Sequence, residues 1–292
     1  MPLFTGSGVA LVTPMTDHGI DLDALGKLID FQIANGTDAL VACGTTGEPA
    51  TLTEQEYEDV IHYTIERAAK RVPVIAGAGS NNTAHAIALA QKAEAMGADG
   101  LLVVTPYYNK TTQAGLVAHF KAIADAVHSP VILYNVPIRT SLNMKADTVA
   151  KLAGYPNIHA VKEASGDLAQ VSDIARLCGD KVAIYSGDDS IILPTMACGG
   201  VGVISVVANI APRQTHDLCA KFLAGDVAGS RELQFALKPL VDALFTETSP
   251  IPVKAALELM GICKATVRLP LVPISADALS KLKAEMAKLN MI

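Results

Sequence analysis

Short, β-branched apolar runs recur along the chain: Gly8–Thr13, Ala39–Cys43, Val72–Ala76, Gly100–Val104, Val131–Tyr134, Ile158–Lys162, Val182–Tyr185 and Val201–Val206. Between most of them lie segments with helical spacing. From Asp21 to Gly36, apolar residues at Leu22, Leu25, Leu28, Ile29 and Ile33 share one helical face. Thr53 followed three residues later by Glu56 is a capping-box start for the next helix. Asn82 to Gly97 and Gln113 to Val127 repeat the plan, and Gly36, Gly97 and Gly154 stand where helices are expected to end.

Strands alternating with helices imply right-handed crossovers and a parallel sheet. Helices cover such strands on both faces, which explains their continuous apolar character. Eight units predict an α/β fold, a (β/α)8 TIM barrel. The alternative is a doubly wound open sheet, which would call for a nucleotide loop. Gly77-Ala78-Gly79-Ser80 follows a strand, but the third glycine of a dinucleotide fingerprint is missing and no Walker A sequence occurs. After about residue 210 the strand signal stops. Arg213–Ala224, Val227–Phe245, Ile251–Met260 and Ser275–Leu289 read as helices. The expected organisation is a catalytic barrel over residues 1–225 and a C-terminal helical extension over 226–292, with a soft boundary because the first of these helices can complete the last unit.

Composition narrows the function classes. The 292 residues are 50% hydrophobic, enough for a large core, and carry a net charge of −6 with no basic cluster. A nucleic-acid or anionic-membrane partner is disfavoured. The five cysteines are scattered and never spaced C-x-x-C, so they read as free thiols in a reducing compartment. The N-terminus lacks the basic segment and cleavage site of a signal peptide, and no apolar run reaches the roughly 18 residues of a membrane helix. The expectation is a cytoplasmic protein. His119, His216 and Asp188-Asp189 show no metal-ligand spacing, and no metal or cofactor is expected.

In such a barrel, chemistry collects at the C-terminal ends of the strands. The second run ends in Gly44-Thr45-Thr46-Gly47-Glu48, the fourth in Thr105-Pro106-Tyr107-Tyr108-Asn109, the fifth in Tyr134 to Thr140, and the seventh in Ser186-Gly187-Asp188-Asp189. The sixth carries a lysine. Alternation places Ala160, Lys162 and Ala164 on one face of that strand and His159, Val161 and Glu163 on the other. On an open surface Lys162 would simply reach water. Inside a parallel barrel an isolated ammonium is costly and a buried amine sheds its proton. A neutral amine attacks carbonyls and forms Schiff bases, and two alanines leave it room. Imine chemistry moves several protons, and Tyr134, at the end of the neighbouring strand, is placed to carry them. Thr45 and Thr46 sit in a glycine-flanked turn that can hold a carboxylate or merely cap itself. Arg139 offers a planar fork for a second carboxylate, or else a surface ion pair.

GTTGE (44–48), TPYYN (105–109), YNVPIRT (134–140), VKEASGD (161–167) and SGDD (186–189), in this order, resemble the class I aldolases of the N-acetylneuraminate lyase superfamily. FTETSPIPVK (245–254) and RLPLVP (268–273) extend the resemblance over essentially the whole chain. Arg139 and the Tyr107-Tyr108 pair make it closest to the branch that condenses pyruvate with L-aspartate 4-semialdehyde to 4-hydroxy-tetrahydrodipicolinate, on the way to lysine and diaminopimelate. A sugar-acid aldolase of the same superfamily and a non-catalytic keto-acid-binding barrel are the alternatives. The resemblance implies a pyruvate imine at Lys162, with Tyr134 as proton carrier. Thr45 would link Tyr134 to Tyr108 of a neighbouring subunit. Thr46 would hold the pyruvate carboxylate, Arg139 the carboxylate of the second substrate, and the backbones of Gly187 and Ile204 would line the pocket. It further implies a homotetramer built as a dimer of dimers and no cofactor.

In lysine-inhibited members of that branch a second site uses serine, two histidines and glutamate at positions that here read Pro49, Glu54, Tyr57 and His85. Ala50, Asn81 and Tyr107 still match the pattern. Weak or absent inhibition by lysine is therefore expected, unless Glu54 and His85 exchange roles.

Overall fold

The structure, a computed structural model, describes residues 2–292. Eight parallel strands close into a barrel, each paired with the strands before and after it in the chain and the last with the first. They are β1 (Gly6–Ala10), β4 (Ala39–Ala42), β5 (Val74–Gly77), β6 (Gly100–Val104), β7 (Val131–Asn135), β8 (Ile158–Glu163), β9 (Ala183–Ser186) and β10 (Gly202–Ser205). A small antiparallel hairpin, β2 (Met15–Thr16) with β3 (Gly19–Ile20), follows the first strand. The helices between strands are α1 (Leu22–Ala34), α2 (Glu54–Ala68), α3 (Thr83–Ala95), α4 (Gln113–Ala124), the single turn α5 (Pro137–Thr140), α6 (Ala146–Leu152), α7 (Leu168–Cys178) and α8 (Ile192–Ala197). After β10 come α9 (Pro212–Leu223), α10 (Val227–Leu244), α11 (Ile251–Leu259) and α12 (Ala276–Lys288). α9 packs on β1 and so completes the eighth βα unit; α10 packs on α9 and α12.

The local signals act as the chain pattern predicts. Asp21 caps α1 by accepting from the Ala24 N–H, and Thr53 and Glu56 form a complete capping box. Gly36 and Gly97 take the left-handed conformation after their helices, with φ of 87° and 92°. Two details differ. The first strand is Gly6–Ala10 rather than Gly8–Thr13, because Leu11, Val12 and Thr13 continue the buried run after the sheet pairing with β4 and β10 has ended. Gly154 does not serve as a left-handed helix stop: α6 ends at Leu152, capped by Ala153 with φ of −62°.

Two apolar layers follow from strand alternation. One lies between the sheet and its helices and takes in Val161 of β8. The other fills the barrel with Ile75, Leu102, Ile132, Ala160, Tyr185 and Ile204. Phe4 and Tyr185 stack with ring centroids 4.3 Å apart, and the Tyr185 hydroxyl donates to the Phe4 carbonyl at 2.6 Å. The opposite end, where the strands' C-termini emerge, is left for the site. Among the described residues no helix is long and apolar enough to cross a membrane.

Candidate active site

Lys162 lies on the inner face of β8, as the alternation demands. Its neighbours on that face, Ala160 and Ala164, belong to the barrel interior, and Lys162 itself is 5% exposed. Parallel pairing sets Tyr134 of β7 directly beside it. The Lys162 Nζ stands 4.4 Å from the Tyr134 ring centroid. On the other side is Gly187, just past β9. A Cβ there would fall 3.1 Å from Lys162 Cγ and Cε and 2.7 Å from the Ala164 Cβ. Any side chain at 187 would crowd the lysine stem, so the glycine and two alanines together form the slot that admits it. Ile204 of β10 belongs to the same interior layer as Tyr134.

Beside Tyr134 the barrel end opens into a cavity of about 740 Å³, walled by Thr45, Tyr134 and Arg139 among others; Lys162, Thr46, Gly187 and Ile204 are not among its lining residues. Thr45 opens a single 3₁₀ turn, Thr45–Gly47, which begins after Cys43 and Gly44 at the end of β4. Thr46, next in that turn, is buried, whereas Thr45 is half-buried. Arg139 sits at the rim on α5. It forms no ion pair among the described residues; one guanidinium N–H instead donates to the Ser249 carbonyl at 3.0 Å. That leaves the rest of the fork for an anion in the cavity.

Tyr108 does not join this group within one chain. Its side chain is 92% exposed and its backbone is left-handed, with φ of 67°. Tyr107, beside it, is half-exposed and does line the cavity. Pro49, Ala50, Glu54, Tyr57, Asn81 and His85 line the same cavity as Thr45, Tyr134 and Arg139. Within the chain the positions of the second site thus share one continuous depression with Thr45, Tyr134 and Arg139. The Tyr57 hydroxyl donates to the Gly77 carbonyl at 2.8 Å, and burial pushes its phenol well up.

Sequence reasoning passed over two buried carboxyls. Glu163 faces away from Lys162, into the helix layer. Its carboxyl accepts from Asn135 Nδ2 at 2.9 and 3.1 Å, from the Ser165 N–H at 2.7 Å and from Gln170 Nε2 at 3.1 Å. Burial pushes this carboxyl above the usual carboxylate range against those bonds. Asn135 and Glu163 are the strand neighbours of Tyr134 and Lys162, so their bond secures from behind the register that sets phenol against amine. The signal was alternation itself, which turns Glu163 inward to a layer where a carboxyl needs partners. Glu48 is the second: its carboxylate pairs with Lys254, 206 residues away, at 2.6 Å. Nothing local announces that pairing.

The remaining candidates are structural. Asp189 Oδ2 accepts from the N–H groups of Val206 and Val207, His119 pairs with Thr83, and His216 with Asp38. All five cysteines are free, and burial pushes the Cys43 thiol far up, which leaves it unreactive.

A buried barrel lysine against a tyrosine that shares a cavity wall with Thr45 and a rim arginine suits imine chemistry on a small anionic carbonyl compound. Comparison with known proteins points the same way. The dihydrodipicolinate synthetase family model matches residues 3–289. A 4-hydroxy-tetrahydrodipicolinate synthase of Geobacter sulfurreducens is 55% identical over 290 residues, covering 99% of this chain and 100% of that protein. The crystal structure of a chloride-inhibited dihydrodipicolinate synthase from Acinetobacter baumannii, complexed with pyruvate, superimposes with a TM-score of 0.97 at 45% identity, covering 99% of each chain. A monomeric dihydrodipicolinate synthase variant superimposes with a TM-score of 0.98 at 41% identity, over 99% of this chain and 98% of its own. With barrel, site and full-length similarity in agreement, the chain belongs to the dihydrodipicolinate synthetase family.

Proposed function

We propose that this chain condenses pyruvate with L-aspartate 4-semialdehyde to 4-hydroxy-tetrahydrodipicolinate, a step of lysine and diaminopimelate biosynthesis. The observation that carries the reading is the buried Lys162 Nζ, 4.4 Å from the Tyr134 ring in a slot left by Gly187. The synthase identity of its full-length relatives supports it.

The Lys162 amine attacks the keto carbon of pyruvate, and the carbinolamine loses water to an iminium. Loss of a methyl proton gives the enamine, whose carbon attacks the aldehyde. The amine of the second substrate then displaces Lys162 and closes the ring, which frees the lysine. Each stage moves a proton, and Tyr134 is the group within reach to carry it. Thr46 and the N–H groups of its turn take the pyruvate carboxylate. Arg139 takes the carboxylate of the semialdehyde in its planar fork. Gly187 leaves room for the Lys162 stem, and Ile204 belongs to the same interior layer as Tyr134. The iminium is itself the electron sink, so the reaction asks for no metal or organic cofactor. The test is a coupled assay with pyruvate, aspartate semialdehyde and the downstream NADPH-dependent reductase. Steady NADPH loss that depends on both substrates is expected; none with active reductase present would send the reading to another acceptor aldehyde.

Tyr108 completes the proton path from a second subunit, in a homotetramer assembled as a dimer of dimers. Its exposure and left-handed backbone support this: a non-glycine residue in that region costs about 1–3 kcal/mol, yet the side chain is 92% exposed in the single chain. Hybrids of Lys162→Ala and Tyr108→Phe subunits decide the point. If Tyr108 acts across the interface, mixing two inactive proteins regenerates intact sites and activity returns; if it acts within its own chain, mixing restores nothing.

The cavity wall around Ala50, Asn81, His85 and Tyr107 corresponds to the lysine site of inhibited relatives, with Glu54 and Tyr57 where histidines would stand. A histidine at 85 in place of a carboxylate removes the partner for lysine's α-ammonium. Turnover is expected to keep most of its rate in millimolar lysine. Near-complete inhibition at sub-millimolar lysine would sink this. Five free cysteines support a cytoplasmic setting; recovery of the native protein from an extracytoplasmic fraction would count against it.

A further inference from the structure

The Glu48–Lys254 pair is an expensive way to attach a helix to a barrel. Both side chains are fully or almost fully buried, at 3% and 0% exposure, and Glu48 Oε2 has no hydrogen-bond partner among the described residues. Burial pushes the Lys254 amine below its usual value, although Glu48 draws it back. Replacing such a pair with apolar side chains of similar size is often neutral or stabilising, so stability alone gives no reason for it. Glu48 also adopts a left-handed conformation, φ 55° and ψ 42°, which a non-glycine residue holds only under constraint.

What the pair supplies is direction. Glu48 closes the Thr45–Gly47 turn: its N–H donates to the Thr45 carbonyl at 3.1 Å. Its side chain is then gripped from α11 by a short charge-assisted hydrogen bond. The segment leading into α11 holds the opposite rim as well, through the Ser249 carbonyl that accepts from Arg139. Farther along, Arg268 donates to the Thr51 carbonyl and to both carboxylate oxygens of Glu56, and holds that carboxyl down to about 2. The C-terminal segment thereby clamps both banks of the cavity, and the grip nearest Thr45 and Thr46 is Lys254.

We propose that Lys254 is a positioning residue, whose pair with Glu48 sets the Thr45–Gly47 turn at working distance from Lys162 and Tyr134; this rests on the imine reading above. Lys254 touches no substrate. It acts through Glu48 on the hydroxyls and N–H groups that do.

The experiment compares Lys254→Met, Glu48→Gln and the double variant with the parent. Tm, kcat and KM for pyruvate are measured, with sites counted by borohydride trapping of the pyruvate imine. Rates per trapped site keep unfolded protein out of the comparison. Lys254→Met leaves Glu48 buried alone and is expected to lower Tm by several degrees. The double variant removes the unpaired charge but leaves a buried neutral amide, and is expected to recover part of the lost Tm. Its kcat per site stays down by about 10²-fold, the scale of a misplacement of roughly 1 Å in a catalytic array, and KM for pyruvate rises. A double variant with parental kcat per site overturns the proposal whatever its Tm, because the pair would then be purely structural. If the double variant does not fold, Glu48→Gln, which keeps the shape of the side chain, is judged by the same rate per site. A parent with no trappable imine overturns the imine reading, and this proposal with it; an active parent with an unimpaired variant overturns this proposal alone.

Discussion

Lys162→Ala is expected to abolish the borohydride-trappable adduct with pyruvate and to lower turnover by roughly 10⁴- to 10⁶-fold, the loss seen when a covalent nucleophile or its partner is removed from a hydrolase. Lys162 is the lysine on the barrel's inner wall beside Tyr134, and no carboxylate pairs with it among the described residues. Removing it takes an ionisable group out of an apolar layer. The fold should survive, with Tm unchanged or raised, since residues kept for chemistry are often held at the expense of stability. Mass analysis of the trapped parent should place the added three-carbon unit on the peptide containing Lys162. An adduct on another lysine, or one that persists in the variant, would mean that the barrel lysine is not the nucleophile.

Tyr134→Phe is the second large effect. The phenyl ring keeps the packing against Ile204 and Ile132 and the contact beneath Lys162 Nζ, so only the hydroxyl is lost. Loss of a positioned general acid–base group costs about 10²- to 10⁴-fold. The expected outcome is a kcat reduced within that range, an imine that still forms but slowly, and an almost unchanged Tm. Parental turnover would show that the proton travels by another route, with water or Thr45 as the carrier. A large drop in Tm would show instead that the hydroxyl serves the core.

Much of this protein is legible from local pattern. Runs of buried β-branched residues separated by helix-period segments specified eight strands, because a parallel strand covered on both faces must be apolar throughout. The period of two along β8 assigned Lys162, Ala160 and Ala164 to one face before any fold was known, and the same period sent Glu163 to the other. The capping box at Thr53 and Glu56 and the glycines at 36 and 97 work within a few residues, and the structure keeps them. The misplaced end of the first strand has an equally local cause: Leu11 to Thr13 are as buried as the strand before them, and hydropathy registers burial rather than ladder pairing.

Other properties arise only when the chain closes on itself. Lys254 reads as one of two charged residues in a largely apolar helix, and Glu48 as the end of a glycine-rich turn. Their bond spans 206 residues and exists because α11 docks over the mouth of the barrel. Arg139 reads equally well as an anion fork or a surface cation until the Ser249 carbonyl is seen to hold one of its nitrogens and leave the rest facing the cavity. Tyr107 and Tyr108 are adjacent in sequence, yet a single left-handed residue turns one toward the cavity wall and the other out to solvent. Periodicity and capping depend on neighbours a few residues away, so the sequence alone determined the strands, most helix ends and the face that carries the lysine. Which distant groups meet depends on barrel closure and helix docking, so the tertiary structure alone decided the clamp on the Thr45 turn, the single cavity and the orientation of its rim.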